Sequence, residues 1–200
     1  MSPFVYLASQ SPRRRQLLEQ LGVAYELLLP AADEDAEALE AVLPNEAPLR
    51  YVQRVTQLKL DAALQRLQDR NLPLAPVLCS DTTVALGRTI LGKPLDAQDA
   101  ERILAVLSGK THRVLTAVTL GSLQERQQAV SISRVTFVTM TPDQMHAYAA
   151  SSEPLGKAGA YAVQGKAAAY ISHLSGSYSG IMGLPMFETA RLLRAFGFDV

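Results

Sequence analysis

Apolar and polar positions along this chain alternate between two rhythms. Phe4 to Ala8 is a short, nearly continuous apolar run of the buried-strand type, and Pro12 to Leu21 places Leu17, Leu18 and Leu21 at helical spacing before Gly22. Ala24 to Leu29 reads as a second strand, followed by an acidic loop, Asp33-Glu34-Asp35-Ala36-Glu37. A longer helix is predicted from Ala47 to Arg70, with Val52, Val55, Leu60, Ala63, Leu64 and Leu67 in helical register and Asn71-Leu72-Pro73 stopping it. Val77 to Leu86 is a strand that turns tightly at Gly87-Arg88 into Thr89-Ile90-Leu91. Asp96 caps a helix with Ile103, Leu104 and Leu107 on one face, ended by Ser108-Gly109. Two long strands, Thr111 to Leu120 and Gln127 to Thr139, precede a helix opened by Thr141-Pro142-Asp143 and reaching Ala150. Ser151 to Gly183 is rich in Gly, Ala and Ser and shows weak periodicity. Leu184-Pro185 opens a last helix, with Met186, Phe187, Ala190 and Leu193 expected to face inward. The pattern predicts an α/β fold, a mixed sheet with flanking helices. No repeat or linker divides it, so residues 1–200 suit one large domain or two intimate lobes with no separable boundary.

Composition narrows the class. Apolar residues make up 48% of 200, enough for a substantial core, while Lys+Arg and Asp+Glu both total 19. A general nucleic-acid binder would be more basic, so no nucleic-acid partner is expected. The single cysteine, Cys79, excludes an intramolecular disulfide and a Cys-based zinc framework and argues for a reducing compartment. There is no signal-peptide core and no apolar run near the roughly 20 residues that span a bilayer, so a cytoplasmic protein with no membrane partner is expected.

The densest chemistry lies at the first strand-helix junction, Ser9-Gln10-Ser11-Pro12-Arg13-Arg14-Arg15. Ser11 reads as an N-cap and Pro12 as the first helical residue. A helix N-terminus with hydroxyls and guanidinium groups beside it is an anion site, although the same pattern also suits a solvated basic helix start. Successive helical residues project about 100° apart, so three arginines in a row cannot all serve one phosphate. Asp81 sits inside the apolar strand Val77–Leu86, where a carboxylate is costly unless it is paired, solvated in a cleft or bound to metal. With Asp33 and Glu34 it could complete a hard-cation site; alone, the acidic loop suits a solvated surface. In Leu91-Gly92-Lys93-Pro94 the proline biases Lys93 toward extended backbone, which either projects its ammonium into a cleft or leaves an ordinary turn lysine. Other features carry nothing. Gly156-Lys157-Ala158-Gly159-Ala160 lacks the Walker A spacing, His112, His146 and His173 show no ligand spacing, and there is no Gly-x-Ser-x-Gly elbow.

These residues together resemble the Maf family of septum-formation-protein-like nucleotide pyrophosphatases. The resemblance rests on Ser9-Gln10-Ser11-Pro12-Arg13-Arg14, Asp33-Glu34, Lys59, Ser80-Asp81-Thr82, Gly92-Lys93-Pro94, Ser108-Gly109, Thr111-His112 and Thr116. It continues through Glu153-Pro154, Lys157-Ala158-Gly159-Ala160-Tyr161, Gln164-Gly165, Gly176-Ser177-Tyr178 and Gly183-Leu184-Pro185, in order along nearly the whole chain. It implies a nucleoside triphosphate pyrophosphatase dependent on a divalent metal (Mg²⁺ or Mn²⁺), releasing a nucleoside monophosphate and pyrophosphate. The implied fold has two lobes around a central cleft, similar to inosine triphosphate pyrophosphatases, and a homodimer is usual. Ser9, Arg14, Lys59 and Lys93 match positions around the triphosphate. Glu34 and Asp81 match the acidic positions tied to metal and catalysis, with Asp81 the proton acceptor. Arg13, Thr82 and Gln164 match the specificity positions of the branch acting on dTTP and UTP, and the implied role is removal of modified pyrimidine triphosphates such as 5-methyl-UTP or pseudouridine triphosphate. Alternatives are a nucleotide-binding regulator of cell division and a pyrophosphatase of the 7-methyl-GTP type. Leu58 and Leu60 flank Lys59 where the family has an acidic residue and alanine.

Overall fold

A computed structural model describes residues 4–31, 34–35 and 37–200. Its centre is a seven-stranded sheet: β1 (Phe4–Leu7), β2 (Ala24–Leu27), β3 (Val77–Leu86), β4 (Thr89–Leu91), β5 (Thr111–Gly121), β6 (Arg126–Phe137) and β7 (Ile171–Ser175). The order is β2-β1-β3-β5-β6-β7, with β4 paired to β3. The β1 pairings with β2 and β3 are parallel and the remaining ones antiparallel, so the expected mixed sheet is what forms.

The helices are α1 (Pro12–Gln20), α2 (Pro48–Asp69), α3 (Ala97–Leu107), α4 (Pro142–Ala149), α5 (Tyr178–Met182) and α6 (Met186–Ala195). Their ends follow the caps read from sequence. Asp96 accepts from Asp99 N at 2.8 Å, and Thr141 and Gln144 form a reciprocal capping box. Alternation along β3 assigns the layers. Val77, Cys79 and Ala85 meet α2, which buries Val52, Val55, Leu60, Ala63, Leu64 and Leu67 as its spacing predicts. Leu78 and Val84 face the opposite side. There α1 and α6 pack around Leu78, and α3 and α4 around Val84, as two separate cores.

Two features depart from the sequence reading. Phe187, expected inside, is 72% exposed, while Thr189, Leu192 and Leu193 carry the buried face of α6. The segment 151–183 holds β7 and α5, which its weak periodicity concealed. A register shift opposite Thr136 and Phe137 breaks the alternation of β7 and brings Ile171 and Leu174, three apart, against the same core.

Candidate active site

The sheet has a gap. On one edge of β3, β1 pairs only with residues 77–78 and β4 only with residues 84–86, whereas β5 covers the other edge continuously. Residues 80–83 therefore face no strand on that side among the described residues. A cleft of about 750 Å³ opens there, lined by the start of α1, the loop before α2, α2 itself, the turn around Lys93 and the 157–164 segment. Among the described residues six cationic side chains and five carboxylates line it.

Asp81 stands in the middle of the gap, 6% exposed. Because it is odd-numbered on β3, it points to the α2 face, where Lys59 Nζ donates to Oδ1 at 2.6 Å. The pairing answers the cost of a carboxylate in this strand. Lys59 also donates to Glu40 Oε1 at 2.7 Å, and Lys93 donates to Glu40 Oε2 at 2.7 Å. Two lysines and two carboxylates thus form one chain of contacts. Burial alone would raise the Glu40 carboxyl, but Lys59 and Lys93 outweigh it and hold the group below the usual carboxylate range.

Thr82 points the other way, between the two cores. Its Oγ1 lies 3.0 Å from Thr116 Oγ1, and Thr116 donates to the Gly180 carbonyl at 2.7 Å. Thr116 has one proton and spends it there, so Thr82 is the donor to Thr116 and keeps its lone pairs for another group. Beside it the Gly183 carbonyl accepts from Arg14 Nε at 2.8 Å, while the single Ser80 hydroxyl proton is shared between the Ala117 carbonyl at 2.8 Å and the Gly183 carbonyl at 2.9 Å. Arg14 Nη1 donates to Ser9 Oγ at 3.3 Å, and Ser11 caps α1 by accepting from Arg14 N. Burial lowers the Arg14 pKa, opposed by Asp81 and Glu40, yet a guanidinium remains charged.

The neighbouring arginines diverge as helical geometry requires. With the Gln164 amide assigned from its hydrogen bonds, Oε1 accepts from Arg13 Nη1 at 3.2 Å and Nε at 3.3 Å. That orientation turns the Gln164 NH₂ toward the remaining space. Lys157, also in the cleft wall, donates to the Glu153 and Leu155 carbonyls. Arg13, Arg14 and Lys157 have no carboxylate partner among the described residues, so this side carries uncompensated positive charge.

Glu34 lines the cleft but is engaged elsewhere. Its carboxylate takes N–H bonds from Arg66 Nε and Nη2 and from Ala31 N, which hold it down at about 2. Arg66, 7% exposed on α2, also donates to the Leu28 carbonyl at 3.0 Å. The structure does not give Glu34 and Asp81 a common partner, and Asp33 lies outside the described residues. Among the described residues no group of three or more His, Cys, Asp or Glu could hold a metal. A magnesium-type ion needs none, because it takes one or two carboxylates and completes its shell with waters and substrate phosphates. Asp81 fits that donor set.

Sequence reasoning missed Glu40 and Arg66. Glu40 sits among loop acids that resemble a solvated surface, and its partners are distant in sequence. Arg66 interrupts the apolar face of α2 between Leu64 and Leu67, the one available signal that it is buried.

The model of the Maf-like protein family matches residues 4–196. The chain is 74% identical over 200 residues to a dTTP/UTP pyrophosphatase of Albidiferax ferrireducens, covering 100% of both. It is 67% identical to that of a Polaromonas strain and 63% identical to that of Cupriavidus metallidurans, each over 197 residues and 98% of both chains. Among solved structures, the Staphylococcus aureus Ham1 protein aligns over 66% of this chain and 71% of that one, at 10% identity and a TM-score of 0.41, too distant to bear weight. With the match running from the first strand to the last helix and through every wall of the cleft, the chain belongs to the Maf family.

Proposed function

We propose that this protein hydrolyses dTTP and UTP to the nucleoside monophosphate and pyrophosphate, with 5-methyl-UTP and pseudouridine triphosphate as further substrates. One observation carries the reading. Asp81, held by Lys59 in the gap of the sheet, shares one cleft with a set of cations suited to phosphate and with the Arg13–Gln164 pair suited to a base edge.

In this reading Ser9, Arg14, Lys59 and Lys93 bind the triphosphate. Asp81 orients a water and takes its proton as the water oxygen joins the α-phosphorus. The bond from that phosphorus to the bridging oxygen breaks, and pyrophosphate leaves with the electron pair. No covalent nucleophile is needed. A divalent ion, Mg²⁺ or Mn²⁺, when bound, supplies charge neutralisation on the phosphate oxygens. Of the residues present, Asp81 would hold it; Glu34, the second carboxylate that the resemblance implies, would join it only on leaving Arg66 and the Ala31 N–H. The fixed cations stabilise charge that develops on the phosphates without reorganising.

Pyrimidine choice falls to the groups that cannot see phosphate. The Gln164 NH₂ donates to a ring carbonyl, Thr82 Oγ1 accepts from the ring N–H, and Arg13 holds Gln164 in that sense. A methyl at position 5 or a carbon-linked ribose leaves the carbonyl–NH–carbonyl edge in place, which supports the modified substrates.

A panel of nucleoside triphosphates, assayed separately for pyrophosphate and orthophosphate with Mg²⁺ and with excess chelator, tests the proposal. Pyrophosphate from dTTP and UTP, lost in chelator, is expected. Orthophosphate as first product, or a preference for purines, overturns it.

A further inference from the structure

We infer that Glu40 is an internal anion that occupies the two-lysine phosphate subsite and must be displaced by the substrate's phosphates, so that it weakens binding of the polyphosphate and hastens release of pyrophosphate. The inference rests on the assignment of Lys59 and Lys93 to phosphate.

The geometry is that of a phosphate surrogate. One carboxylate presents Oε1 to Lys59 and Oε2 to Lys93, both at 2.7 Å, as two oxygens of one phosphoryl group would. The two lysines come from α2 and from the turn after β4, so Glu40 ties opposite walls of the cleft together. Its side chain is 24% exposed, and Glu37 lies 3.9 Å from Lys93 as a second, weaker contact. Arg13, Arg14 and Lys157, the other cations of the wall besides Arg66, have no carboxylate partner among the described residues.

The backbone that carries Glu40 is built to hold this position. Residues 38–40 form a single 3₁₀ turn, started by Asp35 Oδ1 accepting from Ala38 N at 3.0 Å. Tyr51 on α2 donates its hydroxyl to the Glu40 carbonyl at 2.9 Å. Arg54, also on α2, donates to the Ala41 carbonyl at 2.8 Å and pairs with Glu46 at 2.7 Å. The turn is therefore anchored through its backbone, while the side chain is free to swing away on its own rotatable bonds.

A triphosphate carries nearly four negative charges, and a carboxylate left on the same ammonium groups repels it. Two displaced, partly exposed ion pairs correspond to about a 3- to 30-fold loss of affinity. The loss falls on pyrophosphate as well as on substrate. Substrate retains its base and α-phosphate contacts, so the product suffers relatively more.

Titration calorimetry of inorganic tripolyphosphate and of pyrophosphate, in chelator, tests this on the full-length protein. Glu40→Gln is expected to bind both about 3- to 30-fold tighter than the wild type, and Glu40→Ala, which removes the side chain altogether, shows the same sign. Inhibition of turnover by pyrophosphate then sets in at correspondingly lower concentration. Unchanged or weaker binding in both variants overturns the inference, because Glu40 then either leaves the lysines alone or helps to hold the ligand. Lys93→Ala separates the two levels. If it binds tripolyphosphate as tightly as the wild type, the phosphate assignment fails and the inference falls with it.

Discussion

Lys59 Nζ stands 2.6 Å from Asp81 Oδ1, joining the middle of α2 to the unpaired edge of β3. Among the described residues Oδ2 of Asp81 takes no hydrogen bond, so one oxygen is anchored and the other is left for water or metal. A carboxylate fixed in this way needs little reorganisation to accept a proton, and its anchor comes from a different layer of the fold than its backbone.

Asp81→Asn keeps the size and removes the proton acceptor. Turnover of dTTP is expected to fall by about 10²–10⁴-fold if the residue serves only as general base, with substrate binding changed by no more than a few fold. A larger loss, accompanied by a shift in the Mg²⁺ dependence, points to a metal-holding role as well. Near-wild-type turnover removes Asp81 from the mechanism.

Acid sensitivity follows from two groups, Glu34 in the cleft wall and His112 in the core. The Glu34 carboxyl, clamped by Arg66 and the Ala31 N–H, is lowered from 4.5 to about 2. Its stabilising contribution is complete above the ordinary value and is lost as pH falls from 4.5 toward 2. His112, buried against Phe137 and Tyr161, is lowered by desolvation from 6.5 to about 4. Between those values the unfolded chain binds a proton that the native state refuses, so stability again declines as pH falls. Urea midpoints measured from pH 7 to 3 should drop through both windows. His112→Gln should flatten the upper one and Glu34→Gln the lower. A wild-type profile level from pH 7 to 4 contradicts the His112 part.

Gly183 is a third point of leverage. It ends α5 at φ 119°, and its carbonyl holds both Arg14 and Ser80. A Cβ there would sit 3.4 Å from Arg14 Nε, in a backbone conformation that L side chains rarely adopt. Gly183→Ala should lower Tm by about 3–10 °C. On the proposed assignment of Arg14 to phosphate, KM should rise by a similar factor for every nucleotide, leaving the preference among bases unchanged. A selective loss of one base in the kinetic panel would place Gly183 on the base side instead.

The elements that periodicity can see were legible: the apolar face of α2, the capped starts of α1, α3 and α4, and the long β5–β6 pair. Asp81 stood out because a charge in an apolar strand demands an explanation, and its partner Lys59 is the explanation. Three kinds of information were hidden. Bulged alternation concealed β7. Phe187 stands three residues before Ala190, but the buried face of α6 runs through Met186, Thr189, Ala190 and Leu193 and leaves Phe187 on the exposed side. Glu40 and Arg66 are defined by partners 19 to 53 residues away, so local sequence gives no reason to separate them from ordinary surface charge.

The last expectation concerns the Arg13–Gln164 pair. Arg13 offers only N–H donors, so it fixes Gln164 with Oε1 toward the guanidinium and leaves the NH₂ as the outward group. An outward donor matches the 4-carbonyl of uracil and thymine and opposes the 4-amino group of cytosine. Leaving a buried polar group unmatched costs about 1–3 kcal/mol, so UTP should be preferred over CTP by roughly 5- to 150-fold in kcat/KM. Gln164→Ala should erase most of that ratio by reducing UTP and dTTP while changing CTP little. Arg13→Ala should do the same less completely, since it frees the amide to turn and present its oxygen. Lys93→Ala, at the phosphate end, should depress all three nucleotides by similar factors. If Gln164→Ala lowers UTP and CTP equally, the amide serves phosphate or structure, and the orientation imposed by Arg13 is not what selects the base.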